Sequence, residues 1–151
     1  MRVAAAFDHR GVKLREAVLE AIGAAGHVPV DLGADAGTVR VDYPDKALEL
    51  GTVIRRGEAD RGVLVCGSGV GASVAASKIP GIRGAVCHDA YSAHQGVEHD
   101  DMNVLCLGSE IIGGELAREL VRTFLGARFV GGGRYSDRLA KVAALERMSD
   151  G

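Results

Sequence analysis

The feature that most constrains the fold of this chain is a regular alternation of short apolar runs with longer amphipathic stretches. The runs predict five strands, at Arg2–Phe7, Val28–Asp31, Gly62–Cys66, Gly84–Cys87 and Asn103–Leu107. The stretches predict six helices, at Val12–Ala25, Pro44–Arg56, Gly71–Lys78, Ala90–Glu98, Gly113–Leu125 and Ser136–Met148. Runs that are apolar on both faces are typical of a buried parallel sheet, and right-handed crossovers place helices on both of its sides. The sequence therefore predicts an open, doubly wound α/β sheet.

Length and charge limit the function classes. The 151 residues contain no repeat or linker, which predicts a single domain over residues 1–151. With 18 Lys and Arg against 20 Asp and Glu, the net charge of −2 argues against a nucleic-acid partner. No apolar run approaches the roughly 20 residues of a membrane span, and no signal pattern is present, so we expect a cytoplasmic protein with no membrane partner. The three cysteines lack framework spacing, so reduced thiols are expected.

The strongest local signal is the loop Cys66-Gly67-Ser68-Gly69-Val70-Gly71, which follows an apolar run. Its glycines allow successive backbone N–H groups to turn inward around an anion, and the next helix adds its positive end. The same field favours a thiolate, so Cys66 is a candidate base or nucleophile. The alternative is an inert, buried cysteine beside a tight turn. The loop matches neither a Walker motif nor a dinucleotide fingerprint, which disfavours ATP and NAD.

Polar residues also follow the first strand. Asp8 and His9 pair a carboxylate with an imidazole, which suits acid–base work or anion binding. The alternative is that Asp8 caps the next helix. Tyr43 precedes Pro44 at a predicted helix start, and its hydroxyl is a candidate to reach the same crevice.

The segment from His88 to Asp101 holds three of the five histidines among several carboxylates, which raises a metal-site hypothesis. Because the histidine spacings do not repeat on one helix face, we expect no metal there, and His99 alone is the stronger functional candidate. Nearer the C-terminus, Arg134 and Arg138 lie one helical turn apart and are candidates to clamp a phosphate; the alternative is that they are solvated.

Taken together, these segments resemble the type B ribose-5-phosphate isomerase family (RpiB/LacA/LacB) over essentially the whole chain. The segments that carry the resemblance are Asp8-His9-x-Gly11, Asp42-Tyr43-Pro44, the Cys66 loop, Lys78-Ile79-Pro80-Gly81-Ile82-Arg83, His99-x-Asp101 and Arg134-x-x-x-Arg138. Each segment is modest alone, but their order and spacing make the combination specific.

The resemblance implies a Rossmann-like three-layer α/β/α sandwich around a parallel five-stranded sheet. It also implies a homodimer or a dimer of dimers with shared active sites. The C-terminal helix, at about residues 134–148, is expected to pack on the partner or reach across it. The substrate would be a small-molecule sugar phosphate, with no metal and no organic cofactor.

The implied reaction interconverts D-ribose 5-phosphate and D-ribulose 5-phosphate through a cis-enediolate. By resemblance, Cys66 is the proton-transfer base, and Ser68 holds the enediolate oxygen with the backbone amides of the loop. His99, with Asp8, opens the furanose ring. Tyr43 lines the sugar site. The other implied substrate-binding residues are His9, Gly67, Gly69, Val70, Gly71, Asp100, Arg134 and Arg138.

Three positions depart from the family pattern. Asp100 replaces a common asparagine, Glu110 stands where relatives usually carry a phosphate-holding arginine, and Ser77 replaces another asparagine. A carboxylate at position 100 changes how a sugar hydroxyl is recognised, and a negative charge at position 110 weakens a phosphate site. Candidates to offset or pair with Glu110 are Arg10, Arg118 and Arg122. Two alternatives remain open: the same mechanism on a tetrose, allose or galactose phosphate, or a non-catalytic sugar-phosphate-binding homologue.

Overall fold

The structure is a computed structural model that describes residues 1–35 and 40–148. Its strands are β1 (Arg2–Phe7), β2 (Val28–Asp31), β3 (Arg61–Cys66), β4 (Gly84–Val86) and β5 (Val104–Gly108). Its α-helices are α1 (Arg15–Ala24), α2 (Tyr43–Arg55), α3 (Val70–Ala76), α4 (Ala90–Asp100), α5 (Gly114–Gly126) and α6 (Gly133–Glu146). All five strands pair in parallel in the order β2-β1-β3-β5-β4, which confirms the predicted parallel sheet.

The layers follow from the alternation of side chains along the central strands. On β1, Val3, Ala5 and Phe7 share one core with the buried faces of α1, α4 and α5. Ala4 and Ala6 point to the other side, into a second core with α2 and α3. The Rossmann-like three-layer arrangement is therefore confirmed.

α6 differs from the other α-helices because none of its residues is buried, and it packs beside α4. Val142 and Leu145 on this helix are exposed, as is Met148 just beyond it. None of the helices in the described ranges combines the length and the apolar character that a membrane crossing needs.

The first predicted helix is wrong at its N-terminal end. Gly11–Leu14 form a 3-10 turn, and the α-helix begins only at Arg15. The carboxylate of Asp8 accepts the N–H groups of Arg10 and Gly11 at 2.9 and 2.7 Å, and this tight loop leads into the turn. Spacing of apolar residues does not separate a 3-10 turn from an α-helix over a single turn.

The chain reverses its winding direction beside β1. β2 pairs with one edge of β1, and β3, the next strand along the chain, pairs with the opposite edge of β1. In such sheets the crevice for ligands lies beyond the carboxyl ends of the strands at this switch point. Phe7 is in register with Val65, and the N–H of Asp8 donates to the Val65 carbonyl oxygen at 3.1 Å. The register therefore sets Asp8 beside Cys66 at the carboxyl ends of these strands.

Candidate active site

A cavity of about 320 Å³ opens at the carboxyl ends of β1 and β3. Its lining residues are Asp8, His9, Arg10, Arg40, Tyr43, Cys66, Gly67, Ser68, Gly71 and Glu110. A larger cavity of about 660 Å³ lies among β4, α4 and α6, and of the predicted site residues only Asp100 lines it. Of these two cavities, as the described residues line them, only the smaller brings thiol, imidazole, carboxylate and phenol groups together, so we take it as the candidate active site.

Cys66 lies at the floor of this cavity with its side chain almost fully buried. Its Sγ accepts a hydrogen bond from the backbone N–H of Gly69 at 3.1 Å. Gly69 has φ +79°, and a Cβ at this position would lie 3.0 Å from the carbonyl carbon of Leu107, so a side chain is excluded twice over. The tight turn thus aims a backbone donor at the sulfur, where it stabilises negative charge.

The rest of the loop leaves hydrogen-bond donors free. Ser68 Oγ accepts from the Val70 N–H at 3.2 Å, so its own hydrogen can donate to a bound ligand. Within the described residues, no acceptor is found for the N–H groups of Gly67 and Gly71. A hydroxyl and two amides are therefore available beside the Cys66 sulfur, as an oxyanion requires.

The other two cysteines differ from Cys66 in their surroundings. Burial, together with the charge of Asp89, raises the pKa of the Cys87 thiol to about 11. Burial also raises the pKa of Cys106, whose side chain is fully enclosed, well above its ordinary value. Both stay protonated at neutral pH and neither lines the candidate site.

Asp8, His9 and Tyr43 line the cavity together with the loop. The buried Asp8 carboxylate accepts backbone N–H groups as a capping residue does, and it also lines the cavity. His9 Nδ1 lies 3.0 Å from the carbonyl oxygen of Val41. The Tyr43 ring lies on Gly71, where an added Cβ would be 2.7 Å from the ring. All three side chains therefore reach the predicted position.

The remaining predicted residues lie elsewhere, on α4 and α6. The His99 ring stacks on Tyr135 with centroids 4.6 Å apart, and Gln95 Nε2 lies 2.9 Å from His99 Nδ1. Arg134 Nη2 donates to the Tyr135 hydroxyl at 3.0 Å. Arg138 is exposed farther along α6. Within one chain, the structure therefore divides the predicted residues into two groups, and the α4–α6 group does not line the Cys66 cavity.

The histidines of the α4 segment do not converge. His94 pairs with Glu98 at 2.6 Å, and His88 Nε2 accepts the backbone N–H of Gly108 at 2.9 Å. Across residues 1–35 and 40–148, no three His, Cys, Asp or Glu side chains group as a metal site would require. Each of these histidines instead has a local partner of its own.

His88 supports the loop from behind. β4 ends at Val86, and the His88 ring supplies an acceptor for the Gly108 N–H at the end of β5. Gly108 in turn lies against the backbone of Ser68, since a Cβ there would be 2.5 Å from the Ser68 carbonyl carbon. Burial lowers the pKa of His88, which keeps Nε2 free to accept.

We expect His88 to contribute to acid sensitivity. Because its pKa is lower in the folded protein than the unfolded value of about 6.5, protons bind the unfolded chain preferentially, and stability falls as the pH drops below that value. His88→Gln keeps an acceptor without titrating, so the loss of stability at acid pH should be smaller in this variant. His88→Phe should cost about 1–2 kcal/mol at pH 8, because the Gly108 N–H is left without an acceptor. Urea unfolding of the three proteins across pH 5 to 8 measures both effects; wild-type stability of the phenylalanine variant at pH 8 would contradict this account.

Sequence reasoning overlooked Arg40 in the cavity wall and Lys13 just outside it, whose Nζ pairs with Glu110 Oε1 at 2.5 Å. Arg10, a predicted candidate to offset or pair with Glu110, lines the cavity. Arg118 is not the partner of Glu110, because it pairs with Glu20 and Glu115. The third departing residue, Ser77, ends α3 and donates to the Ser73 carbonyl oxygen at 2.7 Å. The only feature of the sequence that pointed to the ion pair between Lys13 and Glu110 was the glutamate at position 110, where relatives usually carry arginine.

Comparisons with known proteins cover nearly the whole chain. The family model described as Ribose/Galactose Isomerase matches residues 3–142. Ribose-5-phosphate isomerase B of Escherichia coli is 38% identical over 97% of each chain. D-erythrulose-4-phosphate isomerase of Pectobacterium atrosepticum is 35% identical over 97% of this chain and 95% of the relative. The structure of the type B ribose 5-phosphate isomerase of Trypanosoma brucei matches with a TM-score of 0.91 at 44% identity, covering 95% of this chain and 97% of the other. The family match spans both groups of predicted site residues.

Proposed function

Since the chain belongs to the ribose/galactose isomerase family, which includes the type B ribose-5-phosphate isomerases, and is a sugar-phosphate isomerase, we propose that it interconverts D-ribose 5-phosphate and D-ribulose 5-phosphate. The observation that carries the proposal is the position of the Cys66 sulfur. It lies at the floor of the cavity, beside the Gly69 N–H and the free donors of the loop. The two other thiols are held protonated by burial, which leaves Cys66 as the cysteine suited to be the base.

The proposed reaction moves one proton between neighbouring carbons. The Cys66 thiolate takes the proton from C2 of the open-chain aldose, the C–H electrons form a double bond between C1 and C2, and the carbonyl oxygen becomes an enediolate oxygen. The Ser68 hydroxyl and the Gly67 and Gly71 amides hold this charge. The thiol then returns the proton to C1, the O2 hydroxyl loses its proton to O1, and the ketose results. Neither atoms nor electrons enter from outside.

We further propose that each active site is completed by a second copy of the chain, in a homodimer or a dimer of dimers. His99, with Asp8, would open the sugar ring, and Arg134 and Arg138 would bind the phosphate together with His9. The proposal is supported by the separation of these residues into two groups within one chain. It is also supported by α6, which buries none of its residues and exposes Val142 and Leu145.

In this arrangement, the half of the site with His99 opens the sugar ring, and the half with Cys66 transfers the proton. The stack of His99 on Tyr135 fixes the imidazole plane, and Gln95 and Glu98 approach its two nitrogens at 2.9 and 3.5 Å. An imidazole held in this way can exchange a proton with a ring oxygen without turning. We place this reaction in the cytoplasm, with neither a metal nor an organic cofactor.

A second candidate substrate is a four-carbon sugar phosphate. The 35% identical relative named D-erythrulose-4-phosphate isomerase supports it, as does Asp100, whose carboxylate accepts hydrogen bonds but cannot donate them. The mechanism through Cys66 would be the same. Allose and galactose phosphates are candidate substrates of the same kind, and a non-catalytic role in binding a sugar phosphate is the remaining candidate function.

The test is isomerisation by the purified protein of D-ribose 5-phosphate and D-erythrulose 4-phosphate, with the six-carbon phosphates beside them. Preferred turnover of the pentose phosphate supports the proposal, and preferred turnover of the tetrose phosphate transfers it to the second candidate. Binding of a sugar phosphate, seen as a raised melting temperature without turnover of any of them, would overturn the catalytic proposal.

A further inference from the structure

Arg10 and Glu110 meet at the rim of the candidate site, over the same residue of the loop. A Cβ built on Gly67 would lie 3.0 Å from Arg10 Cδ, 3.4 Å from its Nη1 and 3.8 Å from Glu110 Cγ. Both residues line the cavity. An arginine and a carboxylate side chain of opposite charge therefore lie close together next to Cys66.

The backbones of both residues are fixed there by hydrogen bonds. Ser109 Oγ donates to the carbonyl oxygen of Arg10 at 2.7 Å, and the Glu110 N–H donates to the carbonyl oxygen of Gly67 at 2.9 Å. Only the side chains are free to rearrange. Their charges therefore decide whether an anion is attracted to this rim or repelled from it.

Lys13, rather than Arg10, is the ion-pair partner of Glu110. Its Nζ lies 2.5 Å from Glu110 Oε1, and this hydrogen bond and charge, with a smaller contribution from Arg10, lower the pKa of the Glu110 carboxyl. Among residues 1–35 and 40–148, the Arg10 guanidinium has no ion pair within 4.0 Å. The carboxylate is thus neutralised from outside the cavity, while the guanidinium stays available inside it.

We propose that Arg10 binds the anionic group of the substrate, and that Lys13 is a positioning residue that keeps Arg10 available by holding Glu110 in an ion pair. The identification of that group as the phosphate of a sugar phosphate rests on the proposed function. A guanidinium suits it because its N–H groups match phosphate oxygens two at a time.

Removal of Lys13 should therefore weaken anion binding by Arg10, although Lys13 itself lies outside the cavity. Without Lys13, Glu110 should turn to Arg10, the other cation whose charge acts on it, and the rim then loses its free positive charge. Because the pair is largely exposed, its effect is limited, and we expect about fivefold weaker anion binding in Lys13→Met. Glu110→Gln in the same chain removes the competitor, so the double variant should return to within about twofold of wild type.

The experiment measures binding of inorganic phosphate by calorimetry, which needs no turnover. Arg10→Gln should bind phosphate about tenfold more weakly than wild type, because it loses a charged hydrogen-bond donor. Arg55→Gln, an exposed arginine at the end of α2, is the matched control and should bind as wild type does. In assays with the sugar phosphate, Lys13→Met should raise KM and leave kcat unchanged.

Three results would overturn the inference. They are wild-type phosphate affinity in Arg10→Gln, no phosphate binding by the wild-type protein, and a double variant as weak as Lys13→Met. The last result would mean that Lys13 attracts the anion by its own charge. Failure of the proposed function looks different: the binding pattern would hold while none of the sugar phosphates is isomerised.

Discussion

Substitution of Cys66 by alanine is expected to abolish isomerisation while sugar-phosphate binding persists. The substitution removes the proposed base and leaves the loop donors in place, since the Gly67 and Gly71 amides and the Ser68 hydroxyl do not depend on the sulfur. Loss of a positioned acid–base group costs about 10³-fold in rate, within a usual range of roughly 10²–10⁴. The measurement is kcat at saturating D-ribose 5-phosphate, with affinity from calorimetry beside it.

Two further variants make the result specific to this thiol. Cys87→Ala removes a buried thiol that does not line the cavity, and it should keep near-normal turnover. Cys66→Ser keeps the shape of the side chain but offers a hydroxyl, a far weaker acid, and it should be nearly as inactive as the alanine variant. In deuterium oxide, wild-type enzyme should exchange the C2 proton of the substrate, and the alanine variant should not. Near-normal turnover in Cys66→Ala would remove Cys66 from the mechanism.

Much of the fold follows from local pattern. β1 has the predicted bounds and β3 begins one residue earlier than predicted, because strands buried on both faces leave a continuous apolar run. β2 also has the predicted bounds, although it lies at an edge of the sheet and is largely exposed. β4 is shorter than predicted, since the His88 ring, rather than a longer strand, supplies the acceptor for Gly108. The 3-10 turn at Gly11–Leu14 depends on the Asp8 carboxylate, a contact that apolar spacing does not encode.

The candidate site was predictable where it is local or where the sheet fixes it. The Cys66 loop is one continuous segment, and parallel pairing of β1 with β3 brings Asp8 beside it. The pair between Lys13 and Glu110 joins residues 97 positions apart, one in the 3-10 turn and one after β5, and no periodicity reports such a contact. The division of site residues between two groups likewise appears only in three dimensions, because α6 follows the sheet without packing its residues into either core.

That division leads to a prediction with an all-or-none outcome. If each site takes Cys66 from one copy of the chain and His99 from another, then Cys66→Ala and His99→Asn are each nearly inactive alone and complement each other when mixed. A mixed dimer then has one site with both defects and one with neither. After random re-association of equal amounts, about a quarter of the sites are intact, so about a quarter of the wild-type activity should return. The measurement is turnover of D-ribose 5-phosphate by the mixture after joint refolding.

The matched control combines two defects from the same group. Cys66 and Ser68 line the same cavity in one chain, so a mixed dimer of Cys66→Ala and Ser68→Ala carries one defect in each site and should recover nothing. Recovery with His99→Asn but not with Ser68→Ala would therefore assign the two groups to different chains. If neither mixture recovers activity although mixed dimers are isolated by two affinity tags, His99 acts within its own chain or outside the reaction, and the sharing of sites between copies is wrong. No structure of the assembly is needed for this test. The recovery of activity depends on which two variants are mixed, and this difference reports which chain supplies each half of the site.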